Sequence, residues 1–500
     1  MTPSGASAFR LLGLLFVAAS LAAPAWATAP LADAAEKRDH ATITRLLAAS
    51  VGGVNDAQPD GMTALLWAAA NDELATARTL LKAGADPKKV NRYGVTPLSL
   101  ACQNGNGELV EALLAAGADP QQALPGGETP LLTAARTGQP GPVRALLARG
   151  ARVGDALPNG QTPLMWAAAE GNTEVVALLL AAGADLNARL ASGFNALLFA
   201  VRGGRAVTVR ALLAAGADLN YVTAPTEKPA GKKHPVAGTS ALIVAIENGH
   251  FELAAELVDR GANPNDLRSG YAPLHVLTWV RKPDIGEDNG DPPPDGSGRF
   301  SSEALIRHLV SKGADVNLAL PGGPHGVGKF ARQGCTAFLL AADRADTAYL
   351  KLLVELGADP KVRNVEGGTA LMTAAGLGAG PDKDEAGTED EAFEAVAYLI
   401  SLGADPNEVT TTGETAMHGA AYGQFPRVVK FLDAHGAKIE LWNQPNKQGW
   451  TPLRIAEGHR LGNFKPDFDT IAALKEVMLA HGAEIPPPME RVKVKGYQSQ

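Results

Sequence analysis

The sequence predicts an all-α solenoid of short helix-turn-helix units joined by hairpin-like connectors. One stretch, residues 160–187 (GQTPLMWAAAEGNTEVVALLLAAGADLN), is typical of two short helices separated by a turn. A turn glycine opens copies of this stretch at a spacing of 33 residues, and the phrase Gly-Ala-Asp closes most of them. Because neither helix is long enough to be stable alone, the units must stack on one another.

The first helix of this unit is predicted to begin at Thr162 and Pro163. The threonine hydroxyl suits a helix cap, and proline is tolerated in the first turn because its missing N–H has no helical partner there. Gly171 ends this helix, and apolar residues between 175 and 180 then follow the i, i+3, i+4 spacing of a second helix. Gly183 closes the second helix at a position that suits left-handed geometry, and a polar connector leads to the next copy.

Eleven copies share this frame, and their opening glycines are Gly61, Gly94, Gly127, Gly160, Gly193, Gly238, Gly270, Gly334, Gly367, Gly413 and Gly449. The period of 33 residues, with T-P-L-x-x-A-A and L-L-x-x-G-A-D, resembles the ankyrin repeat. The resemblance runs from Leu31 to Glu484 and begins with an N-terminal cap, a half-repeat from Leu31 to Val54. Ankyrin repeats usually carry a histidine after T-P-L that bonds turn backbones; here His275 and His418 keep it, which implies that they brace turns.

Residues 1–27 form a separate segment with the pattern of a secretory signal peptide. Arg10 precedes the apolar run 11–19, and Ala25-Trp26-Ala27 supplies a small-residue cleavage site at Ala25 and Ala27. The run is short for a membrane span, so we expect no stable span after cleavage. The segment predicts an exported bacterial protein that is periplasmic or secreted; the alternative is an uncleaved N-terminal anchor.

The repeat solenoid is predicted to occupy residues 28–485, followed by a mobile C-terminal tail at 486–500. Insertions interrupt its period at 224–237, 282–300, 321–332 and 376–391, and the last of these is strongly acidic. Loops on a rigid scaffold often carry binding specificity, although long solvated loops are also tolerated at low entropic cost. Both interpretations stay open for each insertion.

Composition and charge exclude some classes of function. The net charge of −8 argues against nucleic acid as a partner, since phosphate binding needs a concentrated basic face. The two cysteines lie six repeats apart, beyond disulfide reach, so both are expected to remain free. Cys102 lies at a helix position that is alanine elsewhere and is expected in the core, whereas Cys335 is expected to be the exposed thiol.

No motif predicts catalysis or a cofactor. Residues 323–329 match G-x-x-x-x-G-K, but Phe330 stands where a phosphate loop needs Ser or Thr. The acidic residues of 376–391, including Asp382 and Asp384, leave open a loose divalent-ion site or a loop extended by charge repulsion. We therefore expect no enzyme activity, no cofactor and no metal. The rival hypothesis is a metal-dependent or substrate site in the double-length repeat 270–334, built from His275, Asp284, Glu287 and Asp288.

The resemblance implies a protein-binding scaffold, because ankyrin repeats grip partners with connector tips and the first helices of a concave groove. We expect a monomer that binds another protein of unknown identity. Tyr, Trp and Arg are the residue types that most often anchor interfaces. The candidate contact residues are Arg92, Tyr93, Gln122, Leu124, Arg189, Leu190, Tyr221, Arg268, Tyr271, Arg363, Trp442 and Trp450.

Overall fold

The computed structural model describes residues 29–224, 237–283, 299–322, 330–379, 387–459 and 465–487. These residues form two compact units, divided between Arg152 and Val153. Within the described ranges the secondary structure is helical, with isolated β-bridges such as Ala57 to Thr63 and Arg189 to Asn195. The predicted all-α fold with hairpin-like connectors is confirmed.

The described part of the first unit contains four helix pairs, and in each pair the first helix is shorter than the second. Their bounds are α1 Pro30–Glu36, α2 His40–Ala49, α3 Ala64–Ala70, α4 Leu74–Lys82, α5 Pro97–Asn104, α6 Gly107–Ala115, α7 Pro130–Thr137 and α8 Pro140–Ala148. Helix α1 packs on α3, the first helix of the next pair, and α2 packs on α1. The N-terminal cap is therefore a complete helix pair, where the sequence predicted a half-repeat.

The second unit contains eight further helix pairs and one additional helical turn, α23. Their bounds are α9 Pro163–Glu170, α10 Thr173–Ala181, α11 Ala196–Arg202, α12 Ala206–Ala214, α13 Ala241–Glu247, α14 Phe251–Asp259, α15 Pro273–Arg281, α16 Ser302–Ser311, α17 Ala337–Asp343, α18 Thr347–Glu355, α19 Ala370–Ala374, α20 Glu389–Ser401, α21 Ala416–Gly423, α22 Pro426–Ala434, α23 Ile439–Trp442, α24 Pro452–Ala456 and α25 Phe468–Ala480. Helix α20 includes Glu389, Asp390 and Glu391, so these acidic residues form its first turn instead of the loop.

Local sequence fixes where the helices begin and end. Thr162 caps α9, since its hydroxyl accepts a hydrogen bond from the Met165 amide at 3.3 Å, and Pro163 is the first helical residue. Gly183 follows α10 with a φ of 89°, a left-handed conformation that favours glycine. The capping residues predicted from the repeated sequence, Thr162 and Gly183, are confirmed in this repeat.

The core between stacked repeats is built from leucine and alanine. First helices pack on first helices and second helices on second helices, as α5 does on α3 and α7, and α6 on α8. Ala101, Ala134 and Leu113 are fully buried. Each buried leucine contributes about 1.5–3 kcal/mol relative to an exposed one, and the small alanines let neighbouring helices approach closely. Within the described ranges, no helix combines the length and apolar character that crossing a bilayer requires.

Both cysteines are buried and free. Cys102 lies in the core as predicted, but Cys335 is also 0% exposed, which corrects the expectation of an exposed thiol. Leu320 and Leu339 pack around Cys335, and its Sγ donates to the Ala331 carbonyl at 3.3 Å. Burial raises the pKa of the Cys335 thiol to about 12, so this group is not a reactive thiolate at neutral pH.

Candidate interaction surface

Some connectors form a tight hairpin that a polar side chain holds from within. In the connector before α5, the Asn91 amide donates to the Val95 carbonyl at 3.2 Å. The Asn91 side-chain oxygen accepts from the amides of Tyr93 and Val95, each at 3.0 Å. Gly94 completes the turn with a φ of 76°. Side chains at the tip are therefore presented on a fixed backbone.

Neighbouring tips are joined by backbone hydrogen bonds in the second unit. The amide of Val365 donates to the Gln333 carbonyl at 3.0 Å, that of Thr411 to Glu366 at 2.8 Å, and that of Lys447 to Thr412 at 2.8 Å. We call these four tips, at residues 333, 365–366, 411–412 and 447, the tip ladder. In the first unit, Arg92 makes the same bond to the Asp60 carbonyl at 2.9 Å. The next tip has Pro125 at the donor position, and proline has no N–H to continue the series.

Five of the predicted contact residues are exposed: Arg92, Tyr93, Arg189, Arg268 and Arg363. Arg268 is engaged with Asp266 through two hydrogen bonds of 2.8 and 2.7 Å. Arg363 forms an ion pair of 2.9 Å with Glu408 of the next connector. These contacts stiffen the connectors and leave the aliphatic parts of the arginines on the surface.

Six other candidates are half-buried: Gln122, Leu124, Leu190, Tyr221, Tyr271 and Trp450. The Tyr221 hydroxyl donates to the Gly193 carbonyl at 2.6 Å, which braces the preceding connector. The Tyr271 hydroxyl accepts from Arg332 at 2.7 Å, and its ring packs edge-on against Trp279 with centroids 5.0 Å apart. These two tyrosines stabilise connectors with their polar ends; a role in binding stays a prediction.

Trp442 is a correction to the predicted surface. Its side chain is 1% exposed, within the helical turn α23, and its indole Nε1 has no hydrogen-bond partner in the described residues. The sequence placed Trp442 at a connector tip by its position in the frame. The chain there folds into a turn of helix that points the indole into the protein, so this residue is not available at the surface.

The rival catalytic or metal site finds no support from His275. The ring is 1% exposed, and its Nδ1 accepts from the Ala272 amide at 3.2 Å while its Nε2 lies 3.0 Å from the Leu318 carbonyl. Burial lowers the pKa of His275 to about 4. Both ring nitrogens are occupied in bracing turns, as the resemblance implied. Among the described residues, no group of three His, Cys, Asp or Glu side chains could hold a metal.

Several predictions lie outside the described residues. These include the cleavage-site residues Ala25 and Ala27, the rival-site residues Asp284, Glu287 and Asp288, and most of the four insertions. The described ends of the 282–300 insertion are held by polar contacts: Arg281 pairs with Asp346 at 2.8 Å and bonds Ser302 at 2.7 Å, and Lys282 pairs with Glu391 at 2.7 Å.

The second helices of the second unit carry a feature that the sequence analysis missed. An ion pair joins each consecutive pair of second helices from α12 to α25, and we call this series the outer ion-pair row. Its members are Arg210–Glu256 (2.7 Å), Asp259–Lys312 (2.8 Å), Arg307–Glu355 (2.7 Å), Lys351–Glu394 (3.4 Å), Asp390–Arg427 and Lys430–Glu476 (2.8 Å). Opposite charges on successive second helices were the available signal. Charged side chains on the second helices are therefore paired with each other within the chain.

Comparison with known proteins identifies the repeats. A model of three consecutive ankyrin repeats matches residues 31–124, 79–156, 98–190, 131–223 and 386–464, and a single-repeat model matches 237–268. The chain is 32% identical over 274 residues to human ankyrin repeat and SOCS box protein 16, covering 50% of this chain and 56% of that protein. The mouse protein of the same name is 33% identical over 275 residues, covering 50% and 56%.

A second human relative shares the repeats in a much longer protein. SH3 and multiple ankyrin repeat domains protein 2 is 28% identical over 254 residues, covering 46% of this chain and 12% of that protein. The chain thus spans about half the length, or less, of the curated relatives it matches.

Proposed function

The chain belongs to the ankyrin-repeat family, and we propose that it is a non-catalytic scaffold that binds another protein through its connector tips and first helices. The fold supports a binding role because its repeats hold a series of connectors on a rigid helical stack. We further propose that the chain acts outside the cytoplasm, on the basis of the signal-peptide pattern in residues 1–27.

One observation carries the proposal: the tip ladder presents exposed apolar side chains on a backbone that neighbouring connectors fix. Val365 is 57% exposed and Val409 is 46% exposed, and both lie in connectors that the ladder joins. A fixed backbone lowers the entropy that binding must remove. The second helices differ, since the outer ion-pair row already satisfies many of their charges within the chain.

The relatives support a scaffold in general terms only. Their names describe ankyrin repeats combined with a SOCS box or an SH3 domain. Because the chain covers about half or less of these proteins, their other modules carry no argument for its activity. The scaffold proposal depends on the repeats alone.

Site-directed photo-crosslinking tests the proposed surface. A photoreactive amino acid replaces Val365 or Val409 in the full chain, and Val207, 63% exposed on α12, serves as the matched control. We expect a protein adduct from the Val365 and Val409 variants when the chain is irradiated in its own cells, and none from the Val207 variant. Adducts at Val207 alone, or at none of the three positions, contradict the scaffold proposal.

Location is tested separately. N-terminal sequencing of the chain recovered from cell fractions should find a start near Thr28 in the periplasmic or secreted fraction. Recovery with residues 1–27 intact in a membrane fraction would support the uncleaved anchor instead.

A further inference from the structure

The connector at residues 87–93 (PKKVNRY) concentrates positive charge at a single tip, and we call it the cationic connector. Lys88, Lys89 and Arg92 are all exposed. Within the described residues none of the three lies within ion-pair distance of a carboxylate. Two other connector arginines are paired within the chain, Arg268 with Asp266 at 2.7 Å and Arg363 with Glu408 at 2.9 Å.

The carboxylates nearest in sequence and repeat register are used to shape the backbone. Asp86 accepts a hydrogen bond from the Lys88 amide at 2.9 Å, and Asp60 of the preceding tip accepts from the Met62 amide at 3.0 Å. Their oxygens therefore face backbone amides. They reduce the net charge of the region but do not hold the three long cationic side chains.

The same connector exposes apolar surface beside these charges. Tyr93 is 60% exposed and Val90 is 42% exposed. The Arg92 guanidinium lies 4.7 Å from the centre of the Tyr93 ring, so the arginine and the aromatic ring present one combined surface. Arginine and tyrosine are among the residue types that most often dominate binding energy.

The backbone of the cationic connector is already ordered. The Asn91 side chain holds the amides of Tyr93 and Val95 at 3.0 Å, and the Arg92 amide donates to Asp60 at 2.9 Å. At its other end, the Asp86 amide donates to the Asn55 side chain at 2.7 Å. Binding here needs to order only side chains, which lowers its entropic cost.

We propose that the cationic connector docks an acidic segment of a protein partner. Carboxylates of that segment pair with Lys88, Lys89 and Arg92, and an apolar or aromatic side chain packs against Tyr93 and Val90. This inference rests on the proposed scaffold function and specifies its partner. A protein is favoured over nucleic acid because three cations are fewer than the roughly 6–10 phosphate contacts that dominate such binding.

Fluorescence anisotropy tests the inference with the full chain and a short synthetic peptide of Glu and Asp with one central Phe. The variant K88Q/K89Q/R92Q should bind this peptide at least about tenfold more weakly, with most of the salt dependence lost. The variant R45Q/R78Q/K82Q is the matched control, because it removes the same charge from exposed positions on α2 and α4. We expect the control to bind like the native chain, and circular dichroism checks that both variants are folded.

Three results overturn the inference: no binding of the peptide to the native chain, equal weakening in both variants, or unchanged binding in K88Q/K89Q/R92Q. A single-stranded oligo(dT) probe is the nucleic-acid arm. If oligo(dT) binds more tightly than the peptide through the same three residues, an acidic protein partner is also excluded. Cross-links at Val365 and Val409 do not involve this connector, so the scaffold proposal survives or fails independently.

Discussion

His275 and His418 occupy the same position in two repeats of the second unit, but their outer nitrogens meet different surroundings. In both, Nδ1 accepts from the backbone amide of the cap residue, at 3.2 Å from Ala272 and 3.3 Å from Thr415. The Nε2 of His275 reaches the Leu318 carbonyl at 3.0 Å. The Nε2 of His418 is buried and makes no hydrogen bond of good geometry within the described residues, although the backbone of Gln444 lies near the ring.

The chain that follows each second helix also differs between the two repeats. After α16 the connector passes through Leu318 and offers its carbonyl to the ring. After α22 the chain forms the extra turn α23, which buries Trp442 and leaves the indole Nε1 unpartnered too. The hydrogen bond of Nδ1 to the cap residue is therefore determined by local sequence. The hydrogen bond of Nε2 depends instead on the shape of a connector 43 residues further along the chain.

Among the substitutions that test this comparison, removal of the Trp442 indole should lower stability most. Trp442→Ala leaves a cavity beneath the Gly413 repeat, and we expect a loss of about 3–5 kcal/mol in the local free energy of unfolding. Hydrogen exchange of peptides from α21 and α22 measures it, while α15 and α16 should be unaffected because repeats contact only their neighbours. Leu441→Ala, at a half-buried neighbour, is the control and should cost less; equal losses would show that α23 as a whole, not the indole, supports the repeat.

Acid should destabilise both repeats through their histidines. Burial lowers the pKa of each ring from 6.5 to about 4, so the fold prefers the neutral form. The stabilisation is complete above pH 6.5 and is lost as the pH falls toward 4, by about 3 kcal/mol per histidine. Urea unfolding of the native chain and of H275Q/H418Q at both ends of this window checks the expectation. An identical pH dependence in the two proteins would contradict it.

The two histidines should also differ when each is removed. His275→Ala breaks a hydrogen bond that His418→Ala does not, so it should cost about 1 kcal/mol more. Hydrogen exchange of α15 and α16 in one variant, and of α21 and α22 in the other, provides the difference. Equal costs would mean that the Leu318 contact contributes nothing net.

The smallest effect concerns the unpartnered indole nitrogen. Trp442→Phe removes a buried N–H that has no acceptor, so most of the cavity is refilled and stability should change by less than about 1 kcal/mol in either direction. Trp67→Phe is the matched comparison, because its Nε1 donates to Gln58 at 2.7 Å. That variant should lose more; a larger loss at Trp442 would indicate a hidden partner for the indole.

Much of the fold follows from the sequence because its determinants are local. The Thr162 cap, the left-handed Gly183 and the burial of Cys102 each depend on residues within one repeat. The burial of Cys335 could also have been predicted from the repeat. Met62 follows its turn glycine as Cys335 follows Gly334, and Met62 is only 8% exposed. The expectation of exposure ignored that frame position.

The candidate surface was less predictable because it depends on contacts between repeats. The frame correctly placed Arg92 and Tyr93 on an exposed connector. It could not show that the indole of Trp442 turns inward, because that follows from the helical turn α23. It also could not show that Arg363 pairs with Glu408 of the next connector, since side-chain partners across a repeat boundary lie dozens of residues apart.

The outer ion-pair row crosses every junction between second helices from α12 to α25. Electrolyte therefore acts on the coupling between repeats more than on any single repeat, because it screens exposed charge pairs but leaves the leucine and alanine core intact. The leucine and alanine core between repeats still couples them. Concentrated salt should therefore lower the melting temperature slightly and leave the array melting as one cooperative block.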